Sequence, residues 1–247
     1  MLLITFFACH TSPDPTPDEA VTWENLLDAE LSQWDIFLGV PHKASGIPGY
    51  EAVENVKEGT PLGLHRNDKD IFTVTRQDGE AVLRVSGEIF GSLNSRKAYE
   101  NYHLRFQFRW GEKKWPPRLE ATRNSGLLYH SIGAPGSGLW NTWMSSLELE
   151  VEETNCGDFI TINDKQVRAK CPAVQKADGK FYFDPTAPLQ VFWWDGPNSG
   201  RCYKNQDVEL PHGEWNTMEL ITFGDEAFHV LNGQLLMSVH EPAFFDG

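Results

Sequence analysis

The chain has 247 residues, enough for one large β domain or two small ones, and its 40% apolar content supplies a sizeable core without covalent staples. Asp and Glu number 35 against 21 Lys and Arg, a formal net charge of −14. That balance argues against a nucleic-acid partner, which needs a basic face, and against adsorption to anionic lipid. No CxxC or Cys/His zinc spacing occurs among the cysteines, which argues against a structural zinc site.

Met1 to Ala8 reads MLLITFFA, a short apolar run followed by Cys9. An apolar run ending in a small residue and then Cys resembles a lipoprotein signal, in which that Cys is acylated, although no Lys or Arg precedes the run. It is too short to span a bilayer as a helix. Residues 1–9 are therefore expected to be a lipoprotein-type signal segment with Cys9 as the lipidation site. Residues 10–22, rich in Pro, Thr and Asp, are expected to be a flexible tether. The expected setting is the bacterial periplasm or cell surface, with the membrane reached only through the lipid anchor. Setting Cys9 aside leaves Cys156, Cys171 and Cys202. Their pairing stays open; Cys171 and Cys202 flank one insertion and are the preferred pair.

Further along, Trp23–Leu27 and Trp34–Leu38 read as short entry strands, and the Gly- and Pro-punctuated stretch Val40–Leu64 as a long loop. Ile71–Thr75 and Ala81–Val85 read as strands joined through Gln77-Asp78-Gly79, and Glu88–Leu93 as a short strand. Tyr102–Trp110 alternates clearly. Tyr102, Leu104, Phe106, Phe108 and Trp110 face one way, and His103, Arg105, Gln107 and Arg109 the other. Gly111–Arg118 breaks the pattern with two prolines, Ser125–His130 resumes a strand, and Gly133–Trp143 is a loop rich in Gly and Trp.

Ser145–Phe159 follows. Leu147, Leu149 and Val151 lie on one side of a strand and Glu148, Glu150 and Glu152 on the other. Three like charges ~6–7 Å apart repel. A row of this kind is expected to line a cleft and perform acid/base or metal chemistry rather than to sit on a solvated face.

Phe159–Ile162 is a strand, and a poorly periodic insertion runs from there to about Pro188. Leu189–Trp194 and Trp215–Thr222 are strands. Ala227–Leu231 and Gln234–Val239 flank Asn232-Gly233, a strong hairpin signal. No segment keeps a helical period for three turns, and there is no internal repeat. Many short strands separated by turns predict an all-β jelly-roll β-sandwich of two antiparallel sheets. Residues 23–247 are expected to form a single catalytic domain lacking its last strand or strands, because Glu241–Gly247 reads as no strand.

Five stretches then stand out together: YENYHLRFQFRWGEKKWPPR from Tyr99, RNSGLLYH from Arg123, WMSSLELEVEETNCGDF from Trp143, HGEWNTMEL from His212 and HVLNGQLLM from His229. In composition and order they resemble the 3-keto-disaccharide hydrolase family, a concanavalin A-like jelly roll related to laminarinase-type glycosidases. The resemblance covers roughly Trp23 to Glu241. It departs at Glu150, where the family usually carries Gln, and in the closing strands.

The resemblance implies cleavage of the glycosidic bond of 3-keto-glycosides or 3-keto-disaccharides. A ketone at C3 acidifies the C2 hydrogen, so such a site needs a base, a partner for the enediolate oxygen and an acid for the leaving oxygen. Glu148 is the first candidate for base or metal ligand. Glu150 is a second acid/base group or a substrate hydrogen-bonder. His130 is an acid or a metal ligand. Arg123 or Asn124 could polarise the ketone, and Glu153 and Asp158 are further substrate-binding candidates. Trp140 and Trp143 are candidates for stacking on a sugar ring, ahead of Trp110 and Trp115. If a divalent metal is present, Glu148, Glu150 and His130 suit Ca²⁺ or Mn²⁺ better than Zn²⁺.

Two other readings fit the same residues. Glu148-x-Glu150-x-Glu152 mimics the paired acids of a laminarinase-type retaining glycosidase, although i and i+4 sit about 13 Å apart on a flat strand. A non-catalytic carbohydrate-binding module would keep the Trp loop without needing the acids.

Overall fold

The computed structural model describes residues 2–10, 23–163, 167–196 and 199–244; in residues 2–10 it describes the backbone alone. The proposed tether thus lies outside the described residues apart from His10, and so does the side chain of Cys9. In chain order the strands are β1 (Leu2–His10), β2 (Trp23–Asn25), β3 (Trp34–Leu38), β4 (Gly63–Leu64), β5 (Phe72–Gln77), β6 (Glu80–Val85), β7 (Gly91–Ser95), β8 (Tyr102–Trp110) and β9 (Asn124–Ile132). They continue as β10 (Ser145–Glu152), β11 (Phe159–Ile162), β12 (Val167–Gln175), β13 (Phe181–Phe183), β14 (Leu189–Trp193), β15 (Arg201–Cys202), β16 (Asn216–Phe223), β17 (Glu226–Leu231) and β18 (Gln234–Phe244). Among the described residues the only helical pieces are single 3-10 turns, and no helix is long and apolar enough to cross a membrane.

The strands build the all-β jelly-roll sandwich. A large antiparallel sheet runs β13-β12-β18-β17-β16-β8-β1-β6-β5, with β14 beside β12 and β2 beside β1. A four-stranded sheet, β15-β11-β10-β9, packs against it, and a small third sheet, β4-β3-β7, was not foreseen from the sequence. The alternation in β8 holds: Leu104, Phe106, Phe108 and Trp110 are buried, while Arg105 and Gln107 are exposed. The same period buries Met218 and Leu220 in β16, and Leu147, Leu149 and Val151 in β10. Their facing apolar sides form the core between the sheets.

Three readings need correction. The insertion after Ile162 is not irregular, since it contains β12 and β13. Its buried positions, Val167, Ala169, Cys171 and Ala173, are small, and Pro172 interrupts them, so the period-two signal is weak. Glu241–Ala243, read as no strand, extends β18, and Ala243 pairs with Arg168. The backbone of Leu2–His10 pairs as a strand between β8 and β6. Cys171 and Cys202, the preferred disulfide pair, are free thiols, as is Cys156.

Candidate active site

The face of β10 opposite the core carries Glu148 and Glu150. Across it on β9, Leu128 pairs with Glu148, Gly126 with Glu150 and Asn124 with Glu152. These residues border a cavity of about 730 Å³, whose wall includes Asn124, His130, Trp140, Trp143, Glu148 and Glu150. Six of the residues singled out from the sequence therefore share one cavity.

Glu150 is 2% exposed and accepts a 2.7 Å hydrogen bond at Oε1 from the Asn124 side-chain amide. Its backbone is clamped as well: the Glu150 N–H donates to the Asp158 carbonyl at 3.0 Å, and the Gly157 N–H donates to the Glu150 carbonyl at 2.9 Å. Gly157 has φ of 97°, and a Cβ there would meet Leu236 at 2.3 Å, so the turn closes only with glycine. Glu148 leans across β9. A Cβ on Gly126 would lie 1.8 Å from Glu148 Oε1, so the missing side chain leaves the space the carboxyl occupies.

The two carboxyls differ in how far their protonation is shifted. Burial raises Glu148 to about 7, with Arg201 opposing the rise and Glu152 adding to it. Glu150 is pushed well above the carboxylate range by burial and then by the charge of Glu148, again against Arg201. Both glutamates thus hold their protons more tightly than an ordinary carboxylic acid, Glu150 under the added charge of Glu148. Burial also lowers His130, keeping its imidazole neutral. His130 has φ of 50°, and the β9–β10 register slips between Ser145 and Leu147, a β-bulge that re-aims this end of the strand.

Trp140 and Trp143 form an aromatic corner with Phe90. Phe90 stacks on Trp140 at 6.0 Å and tilts against Trp143 at 5.4 Å, and the Lys57 ammonium sits 4.6 Å from the Trp140 ring. The Trp143 indole donates to the Gly91 carbonyl at 3.2 Å. Trp140 is held at φ of 53°, a strained conformation for an aromatic residue.

The remaining candidates lie outside the cavity wall. Arg123 Nη1 donates to both Glu153 oxygens, at 2.9 and 3.1 Å, and His212 meets Glu153 at 3.1 Å. Asp158 is fully buried and bound by Arg201 Nε at 2.9 Å and by the Lys204 backbone N–H at 2.9 Å. Glu152 is desolvated, but Thr122 at 2.6 Å, Asn155 at 3.0 Å and Arg201 hold it below the ordinary carboxylate value. Trp110 is core, with its indole on Glu209, and Trp115 donates to the Ser86 carbonyl.

Sequence reasoning missed Arg201, the cation that sets the field on both cavity glutamates. Its contact with Asp158 spans 43 residues and has no local signature. It also missed His229, which is fully buried: Nδ1 donates to the Gly157 carbonyl at 3.3 Å, and Nε2 accepts from the Tyr129 hydroxyl at 3.0 Å. That pair props the turn behind Glu150.

Among the described residues no group of three or more His, Cys, Asp and Glu side chains is arranged to hold a metal ion. The ligand set considered from the sequence (Glu148, Glu150 and His130) does not fit one, and the positive charge beside the glutamates comes from Arg201.

A β-sandwich with a carboxylate- and tryptophan-lined cavity is the build of a carbohydrate-active protein. The family model for the 3-keto-alpha-glucoside-1,2-lyase-like domain matches residues 22–245, nearly the whole chain, and the chain belongs to that family. No curated protein and no solved structure gave a match.

Proposed function

We propose that this protein cleaves the glycosidic bond of 3-keto-glycosides by elimination across C1 and C2, followed by addition of water. One observation carries the reading: two neighbouring glutamates share one cavity wall, where burial raises Glu148 to about 7 and pushes Glu150 well above the carboxylate range.

Ionised Glu148 removes the C2 proton, and the electrons of that bond form the enediolate with the C3 carbonyl. Donors on the same wall, neutral His130 and the Asn124 amide, meet the oxygen at C3. As the C3 carbonyl reforms, C1=C2 forms and the C1–O bond breaks. Protonated Glu150 gives its proton to the departing oxygen. Water then adds across C1=C2. Trp140 and Trp143 offer ring faces for the sugar. The base is tuned for its task, because a catalytic pKa near the working pH balances ionised fraction against basicity.

The retaining-glycosidase alternative needs Glu152 as the partner acid of Glu148, and both Glu152 oxygens are occupied by Thr122 and Asn155. A binding module has no use for two buried glutamates with raised proton affinity.

The test is incubation with a 3-keto-glucoside and its unoxidised parent. The expected result is cleavage of the keto form alone, reduced about 10²–10⁴-fold in Glu148→Gln. Cleavage of the parent sugar, or binding without turnover, contradicts the proposal.

A further inference from the structure

Among the described residues, the lysine and arginine side chains that border the cavity are Arg96, Lys97 and Arg118. Two of them are engaged. Arg96 Nε binds Asp35 at 2.9 Å and its Nη1 donates to the Ser32 carbonyl at 2.8 Å, while the Lys97 ammonium meets Glu24 at 3.2 Å. Arg118 differs. Its Nη2 donates to the Thr122 carbonyl at 2.9 Å and stands 3.7 Å from Glu152 Oε1, too far for a hydrogen bond. No hydrogen bond among the described residues uses its Nε or Nη1. A guanidinium carries five N–H donors in a planar fork, so most of this one is left for a ligand. The side chain is 36% exposed, whereas Glu150 is sealed from solvent, so Arg118 stands at an open end of the cavity. Its backbone is fixed: the Arg118 N–H donates to the Trp115 carbonyl at 2.8 Å, and the Trp115 indole is held on the Ser86 carbonyl at 3.1 Å.

The wall has an order. Along the β9–β10 pair, His130 lies beyond Leu128, the partner of Glu148, and Trp143 leads into Ser145 at that same end. Glu148, Glu150 and Glu152 then follow along β10, and Arg118 stands beside Glu152, at the end away from the tryptophans. In the proposed reaction Glu148 acts at C2 and Glu150 at the oxygen leaving C1. A substrate laid along this row has its keto sugar toward His130 and the tryptophans and its leaving group toward Arg118.

We propose that Arg118 binds the leaving group, and that it selects 3-keto-glycosides whose leaving group is a hydroxyl-rich alcohol, such as a second sugar, over those that release a bare alkyl alcohol. The inference rests on the proposed reaction, whose base and acid set the direction of the substrate. The spare N–H groups donate charge-assisted hydrogen bonds to the hydroxyls of the leaving group, and a methyl group has none to accept them. Binding energy gained there, away from the reacting atoms, is available to the transition state at C1 and C2.

The test compares a 3-keto-disaccharide with methyl 3-keto-glucoside, using the full native chain, Arg118→Gln and Arg118→Lys. Arg118→Gln should lower kcat/KM on the disaccharide by about 10–100-fold, the scale of a hydrogen bond from a charged group, and leave the methyl glucoside unchanged. Arg118→Lys keeps the charge without the fork and should show a smaller loss, again on the disaccharide alone. Turnover of the methyl glucoside shows that each variant is folded with its glutamates in place. Equal losses on both substrates in Arg118→Lys, or an undiminished disaccharide rate in Arg118→Gln, would overturn the role of Arg118 and leave the reaction standing. No turnover of either substrate by the native chain would overturn the proposed reaction and this inference with it.

Discussion

Glu148 and Glu150 share one strand face and differ in what surrounds them. Both border the cavity, but Glu150 accepts from the Asn124 amide and has its backbone clamped by the 155–158 turn, while Glu148 leans into the space above Gly126. Ionising Glu148 is unfavourable in the folded state, because its value is raised from 4.5 to about 7. The sign follows: stability from the neutral form is fully present below pH 4.5 and is lost as pH rises through about 7, by up to ~3 kcal/mol. Glu148→Gln should therefore lose activity while becoming more stable than the native chain at pH 7, with the advantage gone at pH 4; denaturant titration at both pH values checks this. Activity itself should rise with pH through about 7 as Glu148 ionises, and fall at higher pH as Glu150 does. Arg201→Gln should shift the acid limb of that profile upward, since the arginine lowers both glutamates. It should also destabilise the fold by about 3–5 kcal/mol, because buried Asp158 loses its partner. The glutamate row was legible from strict alternation alone. Arg201 was not, because its partners come from elsewhere in the chain and only the folded sheet brings them together.

At the scale of elements, β9 and β10 form one working unit. Gly126 adopts an ordinary extended conformation, so its role is space rather than backbone freedom. Gly126→Ala should force the Glu148 carboxyl aside and cut turnover by about 10²-fold, with little change in the thermal midpoint. A matching loss of stability would mark the glycine as structural instead. The hairpin between β17 and β18 was legible because Asn232-Gly233 is a local signal, and both residues adopt positive φ. Asn232 does more than turn the chain. Its amide donates to the Val208 carbonyl and to Asn216 Oδ1, and its oxygen accepts from the Thr217 N–H. Asn232→Ala should cost about 2–3 kcal/mol in denaturant unfolding. β12 escaped the sequence reading for the opposite reason: Ala169, Cys171 and Ala173 fill a crowded core with small side chains, and Pro172 reads as a breaker.

For the whole molecule, the sandwich was predictable from many short strands and turns. Its layering was only partly so. Two strands of the small β4-β3-β7 sheet were legible, but β4 lies at the end of a stretch that reads as loop and nothing local shows that the three pair apart from the main sheets; its β7 adds Gly91 to the Trp143 contact. The cavity depends on that arrangement, because its carboxylates come from one sheet and its aromatic corner from the loops between sheets. The central claim is that this cavity breaks a C–H bond next to a ketone. The most direct measurement is turnover of a 3-keto-glucoside carrying deuterium at C2, beside the protiated substrate, with the C2 position followed by NMR. The account predicts a primary isotope effect and exchange or loss of the label at C2, both absent in Glu148→Gln. Equal rates for the two substrates, with the C2 label intact in the cleaved sugar, would contradict it.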